Sequence, residues 1–302
     1  MARFLPAVLV VALLGGSAAA FAVTERLKLE RSPILGTHVS KFVSPQSGRR
    51  AKIRFRLRKA DTLSLAIVDT DGEIVRELVG ARHRGAGPKR FYWNGRDDSG
   101  APVADGPYRP QVHLSGAHRT ILLPNPIVVD TKLPRIALKR TNLSVVSPDG
   151  DARRDYLRVF FRTSEPARAV LYANGRKVVK LKSFRQRNLI WGRRNGMPAK
   201  PGVYRLQLGA IDQAGNPAPR TAIFQIRIRY IELARHVIHA RPNGRIRVRV
   251  STDASSYRWR IGPRHGRVRT RLLSLAAGAA GRYRLVVSER GHRAKALVVV
   301  AP

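Results

Sequence analysis

From Ala51 to Arg58 the chain alternates: Ile53, Phe55 and Leu57 fall on one side, Arg54, Arg56 and Arg58 on the other. Successive side chains of a strand point to opposite faces, so this predicts a strand with one dry and one solvated face. Leu63, Leu65 and Ile67 repeat the pattern, and Asp69-Thr70-Asp71-Gly72 turns it into Ile74-Val75 and Leu78-Val79, a hairpin. Gly80 to Pro88 reads as a basic, glycine-rich loop. Thr120 to Val129, interrupted by Pro124 and Pro126, predicts an edge strand. Asn174-Gly175 separates Val170-Leu171-Tyr172 from Val178-Val179, and both turn residues tolerate the positive φ of a type I′ hairpin. Asp212-Gln213-Ala214-Gly215-Asn216 predicts another hairpin turn, with Asp212 and Asn216 serving the turn. Further on, Ile246, Val248 and Val250 alternate with Arg245, Arg247 and Arg249. Arg282 to Val287 and Ala296 to Val300 predict a closing hairpin across Glu289 to His292.

The stretch from Phe91 to Tyr108 is denser in turn signals than any other. Three aromatics ending in Trp93 lead through Asn94-Gly95, Asp97-Asp98, Ser99-Gly100 and Asp105-Gly106 to Tyr108. Asn-Gly and Asp-Gly favour tight turns, so the stretch predicts strand, polar excursion, strand. A shorter copy runs from Leu189 to Tyr204, with Trp191 matching Trp93 and Gly202-x-Tyr204 matching Gly106-x-Tyr108. The two glycines lie 96 residues apart, close to the ~100 residues of one immunoglobulin-like sandwich. Gly281-x-Tyr283 is a fainter third echo, and after Tyr230 the repeat fades.

Trp93-Asn94-Gly95-Arg96-Asp97-Asp98-Ser99-Gly100 followed by Pro102-Val103-Ala104-Asp105-Gly106-x-Tyr108 resembles the immunoglobulin-like domain of FlgD, the flagellar hook-capping protein. The resemblance spans roughly residues 37–130; the second copy lacks the double Asp. It implies a β-sandwich module of the kind found in bacterial exported multi-domain proteins. Hook capping itself belongs to a separate N-terminal region with no counterpart here.

Pattern and resemblance together predict an all-β chain of tandem immunoglobulin-like β-sandwich domains behind an N-terminal signal or anchor helix. Residues 37–131 form the first domain, 132–231 the second and 232–302 a small third. Phe4 to Val23 carries no charge. It fits a cleaved signal peptide, with Ala20 or Ala22 as the cleavage point, or a retained membrane anchor. Residues 24–36 read as a linker. With no cysteine, disulfides and thiolate metal sites are excluded.

Formal net charge is +39, mostly arginine. Such a surface attracts polyanions. Arg54, Arg56, Arg58 and Arg245, Arg247, Arg249 form two ladders suited to phosphate or carboxylate, the alternative being a compositionally biased, solvated face. Anionic cell-wall polymers, a membrane surface or other envelope proteins are the expected partners, and nucleic acid is disfavoured for an exported chain. Asp149, Asp151 and Asp155 in Ser147-Pro148-Asp149-Gly150-Asp151 to Asp155 alternate like calcium-loop ligands. Neighbouring Arg153 and Arg154 favour a metal-free turn. Asp97 and Asp98 adjoin in a turn rather than converging on a substrate, and His236 and His239 read as ordinary strand residues. Trp93 and Trp191 are expected in the core, not as ligand platforms. No catalytic residue, cofactor or metal is expected, and the function is expected to be structural or binding, with an undetected envelope hydrolase as the remaining alternative.

No apolar span follows Val23, so a chain beginning at Thr24 should be soluble and rich in β-structure by circular dichroism. A mostly helical spectrum would overturn this fold class.

Overall fold

The computed structural model describes residues 31–192 and 200–302. The signal or anchor segment, most of the 24–36 linker and the second copy's Asn195-Gly196 lie outside the described residues. No helix occurs among those described.

The chain divides into two compact units, Met1–Thr131 and Lys132–Pro302. In the first, the strands are β1 (Ile34–Val39), β2 (Phe42–Val43), β3 (Ala51–Leu57), β4 (Asp61–Val68), β5 (Ile74–Arg84), β6 (Gly87–Trp93), β7 (Gly106–Leu114), β8 (Arg119–Leu122) and β9 (Ile127–Val129). They build a three-stranded sheet, β1-β3-β6, and a larger one, β2-β9-β7-β4-β5, with β8 on β7. The inner faces close over Ile53, Phe55, Leu57, Leu63, Leu65, Ile67, Trp93 and Val112.

Two local expectations change. Most of Gly80–Pro88 is strand, because β5 runs on to Arg84 against β4 and β6 begins at Gly87, leaving Gly85-Ala86 as the turn. Thr120–Val129 is two strands, not one edge strand. Its prolines fall in the connection, so no ladder N–H is lost, and β9 lies between β2 and β7.

The second unit holds two further cores. Strands β10 (Ile136–Thr141), β11 (Val145–Val146), β12 (Leu157–Thr163), β13 (Ala167–Ala173), β14 (Arg176–Lys180), β15 (Asn188–Trp191), β16 (Gly202–Asp212) and β17 (Phe224–Ile228) form sheets β10-β12-β15 and β11-β17-β16-β13-β14. Strands β18 (Ile231–Leu233), β19 (Val237–Ala240), β20 (Arg245–Thr252), β21 (Tyr257–Ile261), β22 (Arg264–Val268), β23 (Leu272–Ala276), β24 (Gly281–Glu289) and β25 (His292–Val300) form β18-β20-β23 and β19-β25-β24-β21-β22. The strand order is the same each time, with the short second strand paired in parallel with the last. The repeat that fades in sequence after Tyr230 therefore continues in the topology. What is lost there is the tryptophan: β23 ends beside buried Ala277 instead.

The turns follow their residues. Asn174 and Gly175 take φ of 48° and 81°, as a type I′ turn requires. Asp212 Oδ1 accepts the N–H groups of Gly215 (2.6 Å) and Asn216 (2.8 Å). Gly106, Gly202 and Gly281 open β7, β16 and β24 with φ of 154°, 148° and 152°, which L-residues with a Cβ rarely adopt. Two residues on, each tyrosine hydroxyl donates to a carbonyl four residues upstream. Tyr108 reaches Ala104 at 3.0 Å, Tyr204 reaches Lys200 at 2.9 Å and Tyr283 reaches Ala279 at 2.9 Å. Trp93 meets Tyr108 edge-on at 5.3 Å, and Trp191 meets Tyr204 at 6.1 Å.

Both tryptophans are 1 % exposed. Trp93→Ala should cost about 3–5 kcal/mol. In calorimetry it should lower the melting transition of the first unit alone; an unchanged transition would contradict the packing described.

Candidate functional site

Burial alternates along β3 and β20, which puts aliphatics inward and arginines outward. Arg54 stands opposite His38 on β1 and Arg90 on β6, a basic row across the sheet. Like charges directly opposite each other are unfavourable without a counter-charge. Arg58 leaves the ladder: it lies beyond the end of β3, and its Nε donates to the Ser32 carbonyl at 2.8 Å. On β20, Arg245 reaches Ser274 Oγ at 3.3 Å, while Arg247 faces Ser274 and Arg249 faces exposed Leu272 in the register. Among the described residues, Arg54, Arg56, Arg90, Arg247 and Arg249 have no ion-pair partner.

The middle sandwich carries a third row that the sequence analysis did not single out. Arg158 and Arg162 flank Phe160 on β12, and Arg140 lies 3.9 Å above the Phe160 ring. The interposed aromatic hides it, because Arg158-Val159-Phe160-Phe161-Arg162 breaks the Arg-aliphatic alternation seen along β3 and β20. Within the same unit, Arg153, Arg154, Arg229, Arg249 and Arg271 line a cleft of about 750 Å³. Arg153 donates to the Asp253 carbonyl at 3.5 Å and Arg271 to that of Thr252, so backbone oxygens hold two of the five.

The Asp149 loop beside this cleft also gathers carboxyls. Asp149, Asp151 and Asp155 present carboxylate oxygens within 4.8 Å of one another. Asp155 is spent inside the loop, accepting Gly150 N–H at 2.8 Å and Ala152 N–H at 2.6 Å. Two acids remote in sequence join the others: Asp253, after β20, and Glu289, at the end of β24. Ala152 and Arg154 take left-handed φ of 67° and 48°, and Arg153 and Arg154 line the basic cleft. Burial and then the facing Asp149 carboxyl push Glu289 up to about 7. Burial likewise raises Asp149, helped by the charges of Asp151, Asp253 and Asp155. Tyr230 stacks on His292 with centroids 3.5 Å apart, and burial and Asp149 raise its hydroxyl. Asp253 and Glu289 carried no local signal, since only folding brings them to the loop.

Asp97 and Asp98 do not converge. Asp97 Oδ1 accepts from the Ser99 hydroxyl (2.7 Å) and Ala101 N–H (2.8 Å), and the Ser99 bond leads in holding its carboxyl below the usual range. Asp98 accepts Glu77 N–H at 3.1 Å and faces Arg76 at 3.5 Å. Asn94 Oδ1 accepts Arg96 N–H at 3.2 Å, and Gly95 and Gly100 supply positive φ. These residues, with the tyrosine tie and the buried tryptophan, give the excursion its identity. Residues 41–117 match the FlgD Ig-like domain family. The FlgD Ig-like match runs from Lys41, just before β2, past the end of β7, so it takes in the whole excursion. No curated protein matches the chain.

Among solved structures, the chain is similar to the three-domain I67–I69 fragment of titin in an E-to-A variant. Identity is 11%, coverage 90% of this chain and 99% of that one, and TM-score 0.30. It is also similar to E. coli alpha-2-macroglobulin at 10% identity, covering 89% of this chain and 22% of that one, with TM-score 0.25. A Bacteroides ovatus SGBP-B structure with a mixed-linkage heptasaccharide gives 14% identity, coverage of 88% and 70%, and TM-score 0.22. The chain thus spans about a fifth of the alpha-2-macroglobulin chain.

The raised Glu289 value fixes a sign. The folded unit keeps a proton up to about 7, whereas the ordinary value is 4.5. That contribution to stability is complete below the ordinary value and lost as pH rises through 7. In a chelator, the second unit's melting temperature should fall over that window, and Glu289→Gln should flatten the fall. A Glu289→Gln profile as steep as the parent's would contradict the assignment.

Proposed function

We propose that this is a non-enzymatic bacterial envelope protein, exported or membrane-anchored, whose immunoglobulin-like sandwiches bind anionic cell-wall polymer or anionic headgroups through their arginine faces. The single observation that carries this reading is Arg54 facing Arg90 across β3 and β6, a like-charge arrangement without an ion-pair partner among the described residues. A phosphate or carboxylate chain laid on the sheet would relieve it. Residues spaced by two along β20 stand ~6.6–7 Å apart, so one polymer can engage several guanidinia. The uncharged run from Phe4 to Val23 supports export or anchoring.

A structural role with other envelope proteins as partners is the plainer reading, favoured by the tandem repeat itself. A glycoside hydrolase is disfavoured by the acid group's geometry. Asp149 and Glu289 meet carboxyl to carboxyl, whereas paired glycosidase carboxylates stand about 5–9.5 Å apart to admit substrate or water.

An arginine beside an anionic surface contributes about 1 kcal/mol. Replacing Arg245, Arg247 and Arg249 by Gln should therefore weaken binding to phosphatidylglycerol vesicles roughly a hundredfold while leaving the melting temperature nearly unchanged. No binding by the parent at low ionic strength, or equal binding by the triple variant, would refute the proposal. Cell fractionation with N-terminal sequencing tests the localisation separately.

A further inference from the structure

Five of the chain's 19 acidic residues collect at one place in a chain of net charge +39. They come from three separate segments. The Asp149 loop belongs to the middle sandwich; Asp253 and Glu289 belong to the third. Their oxygens are not all spent on the fold. Glu289 is 9 % exposed and its Oε2 has no hydrogen-bond donor; the group its carboxyl meets is the Asp149 carboxyl, a second acceptor unless one of the two carries a proton. Asp149 Oδ2 and both carboxylate oxygens of Asp253 are likewise buried without a partner. A buried carboxylate oxygen without a donor is costly, and several facing one another are costlier. Arginines surround the group, and among the described residues Arg290 makes an ion pair with it, at 3.5 Å from the other Glu289 oxygen, Oε1.

We propose that Asp149, Asp151, Asp253 and Glu289 form a divalent-cation site, with calcium as the preferred ion, that joins the second and third sandwiches. Oxygens on one calcium lie about 2.3–2.6 Å from it, so they can be no more than ~5 Å apart. Within the loop Asp149 and Asp151 meet that condition, with oxygens inside 4.8 Å of one another, and the Glu289 carboxyl meets that of Asp149. The donors are all oxygen, and the one neighbouring histidine, His292, is stacked on Tyr230. This selects a hard cation over zinc. Asp155 is the loop's brace, since both its oxygens hold backbone N–H groups. Because the ligands straddle the two sandwiches, the ion would fix one against the other.

The site does not depend on the arginine faces, so the two proposals fail separately. The test uses the full-length protein stripped with a chelator and titrated calorimetrically with calcium chloride, then magnesium chloride. One calcium per chain should bind, with a dissociation constant of about 10⁻⁴–10⁻³ M or tighter. Calcium should slow amide hydrogen exchange at residues 147–156, 252–257 and 288–292 together. Glu289→Gln and Asp253→Asn should each weaken binding at least about tenfold, while Asp97→Asn, in the other unit, should not. If a variant fails to fold, the parent protein's titration and exchange decide. No binding heat at ~10 mM of either ion, exchange unchanged by calcium, or a Glu289→Gln protein that binds like the parent would overturn the proposal.

Discussion

In every sandwich a tyrosine hydroxyl reaches back four residues to a carbonyl, from a strand that a glycine opens at φ near 150°. Such a bond contributes only about 1 kcal/mol. Its weight is geometric: it fixes where the strand re-enters the sheet after the loop. A slip of one residue there would send every aliphatic of that strand outward. With the register held, Tyr108 can sit edge-on to Trp93 and Tyr204 to Trp191, and the rest of each core closes around them. The third sandwich keeps the tie without a tryptophan, so of the two features the tie is the one the fold retains throughout.

The same constraint makes the strands two-faced. Once Ile53, Phe55 and Leu57 are committed inward, Arg54 and Arg56 must point to solvent, and the sheet places Arg90 and His38 beside them. Charge that composition scatters along the chain is thereby gathered into rows. Acidic residues are too few to neutralise them, and five are drawn away to the junction of the last two sandwiches. The second unit therefore presents an arginine-lined cleft beside Arg153 and Arg154 and, around Asp149, a buried group of carboxyls.

Most of the fold was legible in the sequence because it is written in short range. Alternation at Ala51–Arg58, the Asn174-Gly175 turn and the closing hairpin over Glu289–His292 depend only on neighbours. The repeat after Tyr230 was harder to see because its tryptophan and polar excursion are gone, while backbone order persists without them. The β5 extension to Arg84 was hidden by polar residues on a strand that pairs with β4 alone. Candidate sites were legible only in part. Arg54 and Arg56 could be read from periodicity, but Arg58 turns to Ser32 and Arg90 arrives from another strand. The Asp149 loop announced itself, whereas Asp253 and Glu289 reach it only through tertiary packing.

On the proposed reading, the arginine rows act by charge from a fold that does not need them. Counterion release tests it most directly: the logarithm of the binding constant for a linear polyanion such as heparin is measured against the logarithm of salt concentration. Each phosphate-like contact contributes about 0.7–0.9 to the slope. Converting Arg54, Arg56 and Arg90 to Gln should therefore reduce its magnitude by roughly two to three, with the melting temperature unchanged. A variant that binds more weakly on an unchanged slope, or melts lower by as much as a core variant, would show that these arginines serve the fold instead.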